Sequence, residues 1–161
     1  MNKTMNKEVI FCIGVPASGK STWSKDFAKN NTNYVRVCRD DYRYMFKDVG
    51  WFEDEVRNKL ETIITNFIYN DIISLLNAGF NVIIDETNVN KKRLVHIIKR
   101  LKNDVSDLNI KFEKFAPSYD VIIDRDKNRE RSVGEDVIRK MCKNYNLLMD
   151  EFDLVIEEAN K

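Results

Sequence analysis

The chain has 161 residues, which suits one domain with a proper core, and its 43% hydrophobic and 33% charged content with only two prolines and five glycines leaves no low-complexity segment, repeat or linker. A net charge of +1 excludes the broad basic field of a bulk nucleic-acid binder, so any nucleic-acid contact has to come from a local patch. The polar start at Met1–Lys7 is not a secretory signal and no apolar run approaches the roughly 20 residues of a membrane span, so no membrane association is expected.

In chain order, Glu8–Ile13 reads as a buried strand and Thr22–Lys29 as a helix, and between them stands Gly14-Val15-Pro16-Ala17-Ser18-Gly19-Lys20-Ser21. This is the pattern G-x-x-x-x-G-K-[ST] at every fixed position, in the strand–loop–helix context that gives it meaning. Its glycines let backbone N–H groups turn inward on phosphate oxygens, and the helix N-terminus adds partial positive charge. Gly14, Ala17, Ser18, Gly19, Lys20, Ser21 and Thr22 are therefore the expected cradle for a nucleotide. Lys20 reaches the β- and γ-phosphates and Ser21 holds magnesium.

Tyr34–Cys38 reads as a second strand, ending in Arg39-Asp40-Asp41-Tyr42-Arg43. A carboxylate there would face the γ-phosphate, where a hydroxyl nucleophile needs a base. Asp40 is assigned that role and Asp41 the helix-capping one. Arg43, about a turn beyond Asp40, offers a planar fork for a phosphate on the acceptor.

A long helix from about Trp51 to Ala78 follows, with Phe52, Val56, Leu60, Ile63, Ile64, Phe67, Ile68, Ile72, Leu75 and Leu76 as one buried stripe and Gly79 ending it. Tyr44, Trp51 or Phe52 could stack on a base, with core packing the competing role for Phe52. Phe80–Ile84 is a third strand, apolar on both faces, ending in Asp85-Glu86-Thr87-Asn88. One of the two acids would support magnesium, and spacing alone does not choose between them. Asn88 or Asn90 caps a helix from Asn90 to Lys102, on which His96, the sole histidine, is structural or solvent-facing.

Asn109–Phe115 alternates as a fourth strand, Ser118–Asn128 is a helix with Ser118 as N-cap, and Glu135–Met149 is another. Phe152–Ile156 is expected as a short fifth strand. The polar connection between the last two helices carries Arg129 and Arg131, the pattern of a lid that closes on a nucleotide. Cys12, Cys38 and Cys142 are odd in number and widely spaced, which fits neither a disulfide framework nor a zinc site and suggests a reducing, cytoplasmic setting. The alternation predicts an α/β fold: a four- or five-stranded parallel sheet with helices on both faces and an arginine-bearing lid, in one domain over 1–161.

Five segments together resemble the kinase domain of phage-type polynucleotide 5′-hydroxyl kinases: G-V-P-A-S-G-K-S-T-W at Gly14–Trp23, R-D-D-Y-R at Arg39–Arg43, D-E-T-N at Asp85–Asn88, R-D-K-N-R at Arg125–Arg129 and V-I-R-K-M at Val137–Met141. The resemblance implies a P-loop kinase that moves the γ-phosphate of ATP, or another nucleoside triphosphate, to the 5′-hydroxyl of DNA or RNA with magnesium. It implies Lys20 and Ser21 on the donor phosphates and metal, Asp40 as general base, Arg43 on the acceptor phosphate and Arg129 as the lid arginine. It also inclines the metal role to Asp85 over Glu86. A phosphatase domain follows the kinase in the best-known relative. This chain stops near the kinase end, so no 3′-phosphatase activity and no stable protein partner are expected. The competing readings are a small-molecule kinase for nucleosides or sugars, against which R-D-D-Y-R counts, and a non-catalytic ATP- or GTP-binding module.

Overall fold

The computed structural model describes residues 7–47 and 54–161. In chain order the elements are β1 (Lys7–Ile13), α1 (Lys20–Asn30), β2 (Tyr34–Val37), α2 (Arg39–Met45), α3 (Asp54–Asn77), β3 (Asn81–Ile84), α4 (Lys91–Asp104), β4 (Leu108–Lys114), α5 (Tyr119–Lys127), α6 (Glu135–Asp150) and α7 (Phe152–Ala159). The strands form one parallel sheet in the order β2-β3-β1-β4. β1 is central, pairing Val9 with Val82 and Phe11 with Ile84 on one side, and Lys7 with Leu108 through Ile13 with Lys114 on the other. The chain leaves β1, crosses over β3 to reach β2, and later crosses back over β1 to β4. The carboxyl ends beside β1 are thus the point where ligands bind in open α/β sheets.

Strand parity sorts the core into two layers. Val9, Phe11, Ile13, Val82 and Ile84 face Ile64, Ile68, Ile72 and Leu76 of α3 and Leu94, Ile98 and Leu101 of α4. Ile10, Cys12 and Ile83 face Trp23, Phe27 and Ala28 of α1. Each fully buried aliphatic side chain contributes roughly 1.5–3 kcal/mol over an exposed one, so both faces of the central strand are needed to hold the sheet.

α3 ends as its glycine requires. Gly79 adopts φ +89°, its N–H donates to the Leu76 carbonyl at 3.2 Å, and the Phe80 N–H donates to the Leu75 carbonyl at 3.0 Å, the paired bonds of a Schellman cap. The buried stripe of α3 is narrower than the sequence suggests: Ile63 and Phe67 are exposed, because Leu60, Ile64, Ile68 and Ile72 at steps of four already cover the sheet. Trp51 and Phe52 lie outside the described residues.

The expected fifth strand is a helix. Phe152, Val155, Ile156 and Ala159 follow the i, i+3, i+4, i+7 spacing, and α7 lays them on the core while Leu154 is left 66% exposed. Ser118 holds the N-cap position of α5, but its side chain makes no cap bond. Asn90, not Asn88, caps α4, accepting the Arg93 N–H at 3.0 Å. Among the described residues no helix is long and apolar enough to cross a membrane.

Gly79→Ala forces a Cβ into a left-handed turn. Chemical denaturation should show a loss of about 1 kcal/mol, with an unchanged m-value.

Candidate active site

The loop after β1 is fixed by close contacts rather than by flexibility. The Gly14 N–H donates to the Thr87 carbonyl at 3.0 Å, and a Cβ on Gly14 would stand 2.7 Å from Ser18 Oγ and 3.0 Å from Phe115. Ala17 at φ +61° and Gly19 at φ +102° bend the chain into the first turn of α1. Asn88 completes the seam, its side-chain amide donating to the Cys12 carbonyl at 2.8 Å, so the ends of β1 and β3 are stitched together.

Lys20 is buried inside this loop. Its Nζ donates to the Val15 carbonyl at 2.6 Å and to Ser18 Oγ at 3.3 Å. Burial pushes the Lys20 pKa down to about 8, against the attraction of nearby Asp85. Ser21 and Thr22 are exposed on the first turn of α1. An open cleft of about 1590 Å³ is lined by Ala17 to Thr22, Asp40, Arg43, Asp85, Arg129 and Arg131, so nearly all the residues singled out in the sequence meet in one place. Gly14 lies beneath that surface, buried against Phe115.

The two strand-end acids part company. Asp85, 4% exposed, accepts Arg36 Nε at 2.7 Å and Ser24 Oγ at 2.9 Å at the base of the cleft. Glu86 lies between Arg39 Nε and Arg93 Nη2, each at 3.2 Å. Arg39 is itself buried, with a second bond to Glu61 at 3.0 Å and a third to Thr65 at 3.2 Å. Glu61 also takes Arg43 Nε at 2.6 Å, and Arg43 Nη1 reaches Asp40 Oδ1 at 2.9 Å. Burial works against the charge of Arg43, but the bonds to Glu61 and Asp40 outweigh it and raise its pKa. Asp41 is not the cap of α2: Cys38 holds that position, and Asp41 on the first turn pairs with Arg36 at 2.8 Å.

The lid is the segment between α5 and α6. Asp126, 2% exposed, accepts Ser132 Oγ at 2.6 Å and the backbone N–H groups of Val133 and Gly134 at 3.2 and 3.1 Å, which ties the end of the loop back to α5. Arg129 stands 3.6 Å from the same carboxylate, while Arg125 Nη1 reaches the Ala17 carbonyl of the phosphate loop at 3.5 Å.

Sequence reading missed Arg36, Glu61, Arg93 and Arg125 as site residues. For Arg36 a signal existed: a charged residue inside Tyr34-Val35-Arg36-Val37, in a strand too short to spare an apolar position, demands a buried partner. Among the described residues no cluster of three metal-ligating side chains occurs. One hydroxyl and one carboxylate, Ser21 and Asp85, fit a magnesium ion whose remaining ligands are water and substrate phosphates.

Residues 9–148 match the AAA domain family. The chain belongs to that family. Among solved structures, it is 27% identical to a chain of the Pnkp1/Rnl/Hen1 RNA repair complex, with a TM-score of 0.76 over 93% of this chain and 47% of that one. It is 28% identical to a chain in a second structure of the Pnkp1/Rnl/Hen1 complex, with a TM-score of 0.60 over 78% of this chain and 41% of that one. The chain thus spans under half the length of either. A deoxyadenosine kinase from M. mycoides, solved with bound dATP, shares the fold at 18% identity, with a TM-score of 0.58 over 91% of this chain and 86% of that one. The two RNA-repair chains bear out the resemblance carried by the five motifs. The protein has a P-loop kinase fold, which supports phosphotransfer.

Donor binding should be proton-linked. Phosphates favour charged Lys20, so its pKa rises on binding, and between the free value of about 8 and the bound value the complex takes up a proton. Titration calorimetry should find nucleotide affinity flat below pH 8 and falling by up to about tenfold per pH unit above it. Lys20→Arg should flatten the upper part of that profile, since guanidinium does not titrate there.

Proposed function

We propose that the protein transfers the γ-phosphate of ATP, or another nucleoside triphosphate, to the 5′-hydroxyl end of DNA or RNA. The observation that carries this reading is the Asp40–Arg43 pair: a carboxylate 58% exposed and an arginine 32% exposed, bonded at 2.9 Å, on the wall of the cleft that holds the phosphate loop. A base for a hydroxyl and a fork for the phosphate next to it are the two things a 5′-hydroxyl acceptor needs that a nucleotide donor does not. The likeness to chains of an RNA repair complex supports a nucleic-acid acceptor, while the deoxyadenosine kinase that shares the fold keeps a small-molecule acceptor as the second reading.

In this reading Arg43, steadied by Glu61, engages the acceptor phosphate beside the terminal nucleoside and sets its 5′-oxygen in line with the γ-phosphorus. Asp40 orients that hydroxyl and accepts its proton as the O–P bond forms and the β–γ bridging bond breaks. Lys20 turns from the Val15 carbonyl to the β- and γ-phosphates, while Arg129 and Arg131 face the equatorial oxygens from the lid. Ser21 and Asp85 would hold magnesium, which when bound would neutralise charge on the donor phosphates. Asp85 is preferred to Glu86 because its charge acts on Lys20 of the phosphate loop, whereas Glu86 sits between the arginines of the opposite wall.

The reading is tested with γ-labelled ATP and magnesium offered in parallel a 5′-hydroxyl oligonucleotide, free nucleosides and sugars. Label should appear on the oligonucleotide; label confined to a nucleoside or sugar would falsify the assignment and leave a small-molecule kinase. Asp40→Asn should keep ATP binding yet lose transfer by roughly a hundredfold or more, the scale of a lost general base. Arg43→Ala should chiefly raise KM for the acceptor. If the KM for ATP rises instead, donor and acceptor sides have been exchanged.

A further inference from the structure

Three guanidiniums, Arg43, Arg39 and Arg93, line the acceptor wall of the cleft, bridged by Glu61 and Glu86 into one row ending at Asp40. They differ in the donors they have left. An arginine carries five N–H donors. Arg39 is 8% exposed in its side chain and committed on Glu86, Glu61 and Thr65, so it is a strut between the two carboxylates. Arg43 bonds through Nε and Nη1, leaving Nη2. Arg93 bonds only through Nη2, to Glu86, and its Nε and Nη1 have no partner among the described residues. Its side chain is 53% exposed and faces the same cleft.

We propose that Arg93 binds a second backbone phosphate of a single-stranded acceptor, one nucleotide further from the 5′ end than the phosphate engaged by Arg43. The inference rests on the polynucleotide-kinase reading and adds to it a subsite that favours an acceptor of two or more phosphates over a lone nucleotide. Arg93 is built for the task. Asn90 caps α4 on the Arg93 N–H at 3.0 Å, fixing the backbone, and Glu86, 12% exposed, fixes the guanidinium without consuming its outer edge. Burial lowers the pKa of Arg93. Glu86 and Glu61 oppose that, and the neighbouring Arg39 and Arg43 charges add to it, which puts Arg93 within electrostatic reach of both. A cation so placed gains from an incoming anion, and it need not release Glu86 to accept one. The six charges of the row (Arg39, Arg43 and Arg93 with Asp40, Glu61 and Glu86) cancel, so the wall selects phosphates that meet the free donors and is not a general trap for polyanions.

A surface ion pair with no ligand would look similar, and its removal would change little beyond about 0–1 kcal/mol of stability. The experiment therefore compares acceptors. At saturating ATP, KM is measured for a nucleoside 3′-monophosphate, a dinucleotide carrying a 3′-phosphate, and a ten-nucleotide single strand. Arg93→Ala should raise KM about tenfold for the two longer acceptors, the scale of a lost charge-assisted bond, and by less than about twofold for the monophosphate and for ATP. Arg93→Lys should recover part of the difference. For the ten-nucleotide strand, the slope of log(1/KM) against log salt should become shallower by about 0.7, the value for one phosphate contact on a single strand. Equal effects on all three acceptors, or none on any, overturn the subsite while the kinase reading stands. A wild-type protein that phosphorylates none of them overturns both.

Discussion

Asp85 puts a negative charge at the floor of the cleft with 1% of its side chain exposed, and the surrounding elements are arranged around that fact. A buried charge is tolerated only when paired and hydrogen-bonded. Here Arg36 comes from β2, Ser24 from α1, and Lys20 lies close enough to be drawn toward the carboxylate. One acid at the end of β3 therefore fixes the position of the next strand and of the helix that follows the phosphate loop. Removing Arg36 would strand the charge, which costs about 3–5 kcal/mol for a broken buried pair. The same constraint explains why Lys20 can be buried at all. Its loop gives it two acceptors, but the counter-charge is Asp85.

What could be read from the chain follows from how local the physics is. The phosphate loop is local: two glycines, a lysine and a serine between an apolar strand and a helix, and the fold holds them as the pattern requires. The end of α3 is local too, since only Gly79 could take the left-handed turn. Phe152–Ile156 failed for a physical reason: five residues are too few to separate a period of 2 from 3.6, and only Ala159 decides it. The ion-pair row on the acceptor wall was illegible in a different way. Arg39 and Glu61 are 22 residues apart and Arg39 and Glu86 are 47 apart, and nothing in their spacing announces that they meet.

That row also bears on the tension between the net charge and the proposed acceptor. A net charge of +1 leaves little for attracting a polyanion. On this wall the positive groups are not accumulated but oriented, each carboxylate holding a guanidinium by one edge and leaving another edge free. Orientation of this kind strengthens binding at defined points while adding little to long-range attraction, which is the regime that the proposed 5′-hydroxyl acceptor would require.

The lid poses the same question with the opposite sign. Four acids lie between Arg125 and Lys143, and in sequence they threaten to cancel the arginines. In the fold two of them point their charge elsewhere. Asp126 is turned inward and taken up by Ser132 and by the backbone of Val133 and Gly134, while Glu135 at the start of α6 accepts Arg139 and the Tyr119 hydroxyl and does not line the cleft. What remains toward the cleft is Arg125 on α5, with Arg129 and Arg131 on a loop whose entropy has already been lowered by the Asp126 tether. A carboxylate that looks in sequence like a competitor for the arginines is, by its burial, what ties down the loop from which Arg129 and Arg131 line the cleft.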